Sequence, residues 1–387
     1  MDETPFLFRH LRLRGVTLPN RVVISPMQQY AAEPDGMATD HHMVHLGRFA
    51  LGGAGLVFTE ALATEPDGRL TYSDLGIWND EQAAALAPIA DFIRRNGAVP
   101  GTQLLHAGRK GSVQRPWHGY GPLTEADVAA RGEQPWPTVG PSAVPAMPGW
   151  PAPAALDRDD LARIVDDHAR GARRCHEAGF DVLNIHGGHG YLIHTFLSPL
   201  ANTRDDEYGG DRAGRMKLAI DIAAAVRAEW PAEKPLFFRL SCDDALDGGW
   251  TIDDTVVLAH ELMAAGVDVI DCSSRGLSRR GTPVVIRREP GFQVPYSDQV
   301  RRQAGAATMT VGLIMTPDQA EAILSDSKAD LVAIGREALF NPNWARQAAI
   351  DLIGDEAFES HWPDRDGWWL VRRARSLAAG ADERGED

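Results

Sequence analysis

Eight short apolar runs, rich in β-branched residues and spaced along the whole chain, constrain its fold more than any other feature. They are Arg21–Met27, Gly55–Ala61, Pro100–His106, Asp181–His186, Leu236–Cys242, Asp268–Ser273, Thr308–Ile314 and Asp330–Gly335. Continuous apolar strands of this kind belong in a parallel sheet covered on both faces. Helical patterns follow most of them, over Asp80–Asn96, Arg158–Ala178, Ala213–Glu229, Ile252–Ala265, Pro317–Ser325 and Asn343–Ile353. Thr251 and Thr316 stand where helix N-caps belong, as does Asp159 or Asp160. Eight strands with intervening helices predict an α/β fold, a (β/α)8 TIM barrel.

Two short amphipathic pieces around Gly15 predict an N-terminal hairpin that closes the barrel bottom. After the third strand, Ala107–Pro153 is rich in Pro, Gly and Trp and too long for an ordinary connection. Loops of that length usually form lids or binding walls. The alternative, a floppy insertion, would leave Trp117, Trp136 and Trp150 in water. The expected division is one barrel domain over 1–354, with 107–153 as its capping insertion. Residues 355–387 then form a C-terminal extension suited to intersubunit contact, ending in a polar tail.

A net charge of −15 argues against nucleic acid and anionic membrane as partners. No apolar run approaches the roughly 20 residues of a membrane span, and Met1–His10 lacks a signal-peptide core. Cys175, Cys242 and Cys272 show neither paired nor metal-ligand spacing, the pattern of reduced thiols in a cytoplasmic protein.

In a TIM barrel the active site is built at the C-terminal ends of the strands. The fourth run delivers His186, His189 and Tyr191, with glycines between them: two imidazoles able to donate hydrogen bonds and a phenol able to give up a proton. A His-x-x-His pair also fits a metal site, to which His106 could contribute. Gly312, Gly335 and Arg336 end the last two strands, where such barrels hold phosphate, and structural turns are the alternative. Arg239 interrupts an apolar run and points either into the mouth or into a core salt bridge. Gln103 is a buried amide, facing the mouth or bonding to neighbouring strands. An arginine and an amide beside a phosphate site suit a flat heteroaromatic ring with urea-like edges, as in flavin mononucleotide (FMN).

Several long motifs then occur in a familiar order: Asn20–Met27, Gln103–Lys110, His186–Tyr191 with Phe196–Pro199, Asp206–Gly210 and Ile334–Arg336. Over about Phe6 to Ile353 the chain resembles the Old Yellow Enzyme family of FMN-dependent ene-reductases, in its thermophilic-like and xenobiotic-reductase branch. The resemblance implies that Ser25, Pro26, Met27, Ala61, Gln103 and Arg239 line the flavin ring. Gly312, Gly335, Arg336 and Ser274 would hold its phosphate. His186 and His189 would bind the oxygen of an α,β-unsaturated carbonyl or related activated alkene, with Tyr30 and Gln28 beside it. Tyr191 would protonate the α carbon, and NADPH or NADH would supply the hydride. The partners implied are a small-molecule substrate and further copies of the chain, in a homo-oligomer. Two departures stand out. Gln28 occupies a position where the branch usually has cysteine, and Arg275 one where glycine usually follows two serines; Arg275 either adds a cation near the phosphate or points to solvent. Asp366 stands where an intersubunit arginine is often found, with Arg365 beside it. Two other functions stay open: a related flavin-dependent reductase of an acyl-CoA or dearomatised biosynthetic intermediate, and a flavin-binding protein without turnover.

Overall fold

The computed structural model describes residues 4–277 and 289–382. A hairpin comes first, β1 (Leu11–Leu13) and β2 (Val16–Leu18), paired antiparallel. The barrel begins with β3 (Val22–Ile24), β4 (Leu56–Ala63) and β5 (Val99–Leu105). A short parallel pair, β6 (Val139–Gly140) and β7 (Ala154–Ala155), closes the capping insertion. β8 (Val182–Gly187), β9 (Leu236–Ser241), β10 (Val269–Ser273), β11 (Ala307–Thr310) and β12 (Leu331–Ile334) complete the ring, and β12 pairs with β3. Every barrel pairing is parallel, and each of the eight apolar runs supplies one strand. The fold is a (β/α)8 TIM barrel.

The outer layer comprises α1 (Asp40–Leu51), α2 (Asp80–Arg95), α3 (Glu125–Arg131, within the insertion), α4 (Arg158–Glu177), α5 (Leu192–Leu197), α6 (Arg212–Glu229), α7 (Ile252–Ala264), α8 (Val294–Ala304), α9 (Pro317–Ser325), α10 (Arg336–Phe340) and α11 (Trp344–Ile353). After them come α12 (Ala357–Ser360) and α13 (Asp364–Asp382), the latter carrying exposed Trp368 and Trp369. Thr251 and Thr316 cap α7 and α9 through their side chains. The cap of α4 is Asp157, not Asp159 or Asp160. Chain at Asp157 is still extended, and its carboxylate accepts from Asp160 N at 2.9 Å. Asp159 and Asp160 lie in the first turn, where they complement the helix dipole.

The hairpin does close the bottom. Leu11, Leu13, Val16 and Leu18 pack on the lowest inward layer of the barrel, which includes Phe58, Val182, Phe237 and Met309. The insertion is held rather than loose, although not by burying its tryptophans, since Trp117 is 62% exposed. Polar contacts fix it instead: Trp136 Nε1 donates to Asp67 O at 3.0 Å, and Arg115 pairs with Glu133 at 2.7 Å. Arg109 reaches the carbonyls of Val144 and Pro145. The three cysteines are buried free thiols. Among the described residues no helix is long and apolar enough to cross a membrane.

Candidate active site

Strand alternation decides what reaches the mouth. With Val182 in the lowest layer, Asn184 and His186 face the same interior two and four residues on. Register then sets His186 beside Arg239, Arg239 beside Asp271, and Gln103 between Asn184 and Ala61. These side chains converge on a cavity of about 220 Å³ lined by Pro26, Gln28, Tyr30, Ala61, Leu70, Gln103, Leu105, His186, His189, Tyr191 and Arg239.

A bulge in β4 shapes one wall. Phe58 pairs with Gly101 but Ala61 with Gln103, so the strand carries one extra residue there. Regular alternation from Phe58 would have turned Glu60 inward; the bulge puts Ala61 there instead. Glu60 swings away, accepts from Gln29 N at 2.7 Å and faces His42 Nε2 at 3.8 Å. Burial, reinforced by Asp74, pushes its carboxyl well above the usual range. Gln28 is anchored across the same bulge, its Oε1 accepting from Ala61 N at 3.0 Å.

Arg239 fulfils both readings of it. Nη1 donates to Ser25 Oγ at 3.1 Å and to Asp271 Oδ2 at 3.3 Å, while the guanidinium still lines the cavity. Asn184 Nδ2 donates to the same carboxylate at 3.0 Å. Arg239 Nε and Gln103 Nε2 are buried N–H donors without a protein partner. Buried donors left unpaired are costly, and these two have the chemistry to pair with acceptors on a flat polar ring placed in the cavity. Beside this cavity a second, of about 230 Å³, is lined by Val311, Gly312, Leu313, Ile314, Ala333, Gly335, Arg336 and Glu337. Gly312 has φ +117°, and a Cβ there would lie 2.8 Å from Gln293 Oε1. A Cβ on Gly335 would meet nothing nearer than Met27 Sδ at 3.7 Å, leaving room beside its backbone. Open backbone and an exposed arginine fit a phosphate. Ser274 does not line that cavity; its Oγ is bonded by the Gln293 amide at 2.9 Å. Gln293 was not foreseen. It sits at the start of α8, and no sequence pattern around it announces a site. Arg275 is neither beside the phosphate cavity nor turned to solvent, but is directed at Asp243 and Tyr296.

The two histidines form a relay. His186 Nδ1 accepts from Gly188 N at 3.1 Å, so its proton is on Nε2, which lies 3.2 Å from His189 Nδ1. His189 Nε2 lies 2.7 Å from Ser273 Oγ. Burial first, and the Arg239 charge second, hold both imidazoles well below the usual histidine range, so both are neutral. The Tyr191 ring meets His186 edge-on, centroids 5.0 Å apart. Tyr30 adopts φ +56° and stands edge-on to Trp117; burial and the nearby phenols of Tyr120 and Tyr191 raise its pKa. His106 is not at the site: it binds Glu65 at 2.7 Å. Among the described residues no group of three or more His, Cys, Asp or Glu is arranged to hold a metal ion.

A family model described as the NADH:flavin oxidoreductase / NADH oxidase family matches residues 6–353. The NADPH dehydrogenase of Listeria innocua serovar 6a is 43% identical over 347 residues, covering 89% of this chain and 95% of that protein. Morphinone reductase in complex with tetrahydroNAD is 25% identical, with a TM-score of 0.72 over 90% of this chain and 92% of the other. The structure of a 2-naphthoyl-CoA reductase complex gives a TM-score of 0.79 at 22% identity. The match covers 91% of this chain but only 53% of that one, about half its length, and is a likeness of fold. The chain therefore belongs to the NADH:flavin oxidoreductase / NADH oxidase family, that of Old Yellow Enzyme, as an FMN-dependent NAD(P)H oxidoreductase.

Proposed function

We propose that the chain is an ene-reductase, reducing the C=C bond of an α,β-unsaturated carbonyl compound or a related activated alkene. The observation that carries this reading is a 220 Å³ cavity whose lining brings two neutral imidazoles and a phenol together with Gln103 and Arg239. Ser25, Pro26, Met27, Ala61, Gln103 and Arg239 would hold the FMN ring, and Gly312, Gly335 and Arg336 its phosphate, with Ser274 acting through Gln293. Bound FMN supplies a hydride taken from NADPH or NADH.

The chain's own residues do the rest. In the resting arrangement His186 Nε2–H donates to His189 Nδ1, so the His189 proton is on Nε2 and is donated to Ser273 Oγ. If the Ser273 hydroxyl turns to donate to His189 Nε2, the His189 proton moves to Nδ1. Both imidazoles then present an N–H toward one oxygen between them. Donors placed where negative charge develops stabilise the transition state. Tyr191 gives its phenolic proton to the α carbon, Tyr30 flanks the substrate, and Gln28, pinned by Ala61 N, narrows the opposite side. The extension after residue 354 would join copies of the chain, α13 packing on its own chain chiefly through α12.

The test is anaerobic. FMN-loaded protein is reduced with NADPH and then mixed with cyclohexenone. Return of the oxidised flavin spectrum on adding the enone is expected. Reduction with no enone-dependent return sinks the proposal and favours a flavin binder without this turnover.

A further inference from the structure

We infer that the buried pair His194–Asp244 is a positioning element that holds Tyr191 for proton delivery. It rests on the reading of Tyr191 as proton donor. His194 is fully buried and Asp244 is 2% exposed; neither lines the cavity. Gly190 N donates to His194 Nδ1 at 2.7 Å, so the His194 proton is on Nε2, which lies 2.8 Å from Asp244 Oδ1. Asp244 Oδ2 accepts from Ser198 Oγ at 2.6 Å and from Trp250 N at 2.8 Å. The His194 imidazole in contact with it, and then these two bonds, hold the Asp244 carboxyl below the usual range despite its burial. The carboxylate thus sets the tautomer of His194, and that tautomer holds the His189–Gly190 peptide, one residue before Tyr191.

That peptide has little other freedom. Gly190 has φ +77°, and a Cβ there would lie 2.4 Å from Gly276 O. On the far side of Tyr191, Leu192 N donates to His106 O at 3.0 Å. Lys110 Nζ donates to His189 O at 2.7 Å. The phenol therefore leaves a backbone fixed on both sides; before it, Tyr191 N donates to Gly188 O at 3.2 Å and Lys110 holds His189 O, while the bond from Gly190 N depends on one imidazole in one tautomer.

Asp244→Asn turns an amide N–H₂ toward His194 and forces the proton onto Nδ1, against Gly190 N–H. His194→Leu removes the acceptor. His194→Gln restores it, since its carbonyl can accept from Gly190 N while its amide donates to Asp244. The experiment follows both half-reactions of the FMN-loaded variants by stopped-flow, with Tyr191→Phe in parallel and the solvent isotope effect on reoxidation by enone. Expected are a loss of about 10²-fold in reoxidation for Asp244→Asn and His194→Leu, as for misplacement of a reacting group. Reduction by NADPH keeps its rate, the isotope effect rises, and His194→Gln recovers. Reoxidation at the parent rate in Asp244→Asn and His194→Leu, with Tyr191→Phe slow, overturns the inference alone. Equal slowing of both half-reactions, unrescued by His194→Gln, also overturns it, as general loosening. Tyr191→Phe at the parent rate overturns the proton-donor reading and this inference with it.

Discussion

Tyr191 carries the sharpest test at the scale of single residues. Tyr191→Phe keeps the ring packed on His186 and deletes only the phenolic proton. Reoxidation by enone is expected to slow by at least about 10²-fold with little change in reduction by NADPH; loss of both rates together would mean that the hydroxyl supports the structure of the site rather than delivering the proton. Arg239 makes a different prediction. Removing its charge in Arg239→Met strands Asp271, which is fully buried, and should cost about 3–5 kcal/mol. Adding Asp271→Asn should recover much of that, as a urea-unfolding cycle would show. The sequence offered His186, His189 and Tyr191 at the mouth, and Gln103 and Arg239 there or in the core, because each is a polar residue interrupting or ending an apolar run. Asp271 and Ser273 went unremarked as partners of Arg239 and His189, because both depend on which strands are neighbours. Ser274 was misjudged for the same reason: its hydroxyl goes to Gln293, from a segment with no strand or motif to mark it.

Elements were legible where their pattern was uninterrupted. All eight strands could be read, since a strand buried on both faces carries few polar residues to blur it. α1 could not, because Asp-His-His at its start and Gly47 within it obscure the helical period. The β4 bulge was equally hidden, since a run apolar on both faces looks the same with or without an extra residue. Yet it decides whether a carboxyl or a methyl group faces the cavity. At the start of α4, the sequence reading chose between Asp159 and Asp160; backbone conformation selects Asp157, two residues earlier than the first of them. Asp157→Ala is expected to lower stability by about 1 kcal/mol and Asp159→Ala much less, as urea midpoints would show. The reverse order would contradict the cap assignment.

For the whole molecule, buried imidazoles impose a pH dependence. Burial holds His42 at about 4, His45 at about 3 and His168 at about 4, all below the ordinary 6.5. Neutral in the fold, each takes up a proton on unfolding below pH 6.5, so its share of stability is lost as pH falls from there toward its folded value. Glu60 and Asp271, whose pKa values are raised, act in the opposite sense. A single term is best isolated by difference. Between pH 6 and 4.5 the parent should lose up to about 1.4 kcal/mol per pH unit more than His168→Leu; parallel profiles would refute the assignment. Association belongs to this scale too: truncation after Pro363 is expected to reduce the mass seen by light scattering, and an unchanged mass would remove α13 from the interface. The hairpin beneath the barrel has a consequence for traffic. With its floor covered by the hairpin, the site among the described residues opens at the barrel mouth, where an arriving molecule is expected to wait for the previous one to leave. Electron donor and electron acceptor therefore queue at one threshold, and turnover should climb, peak and then decline as either is supplied in excess.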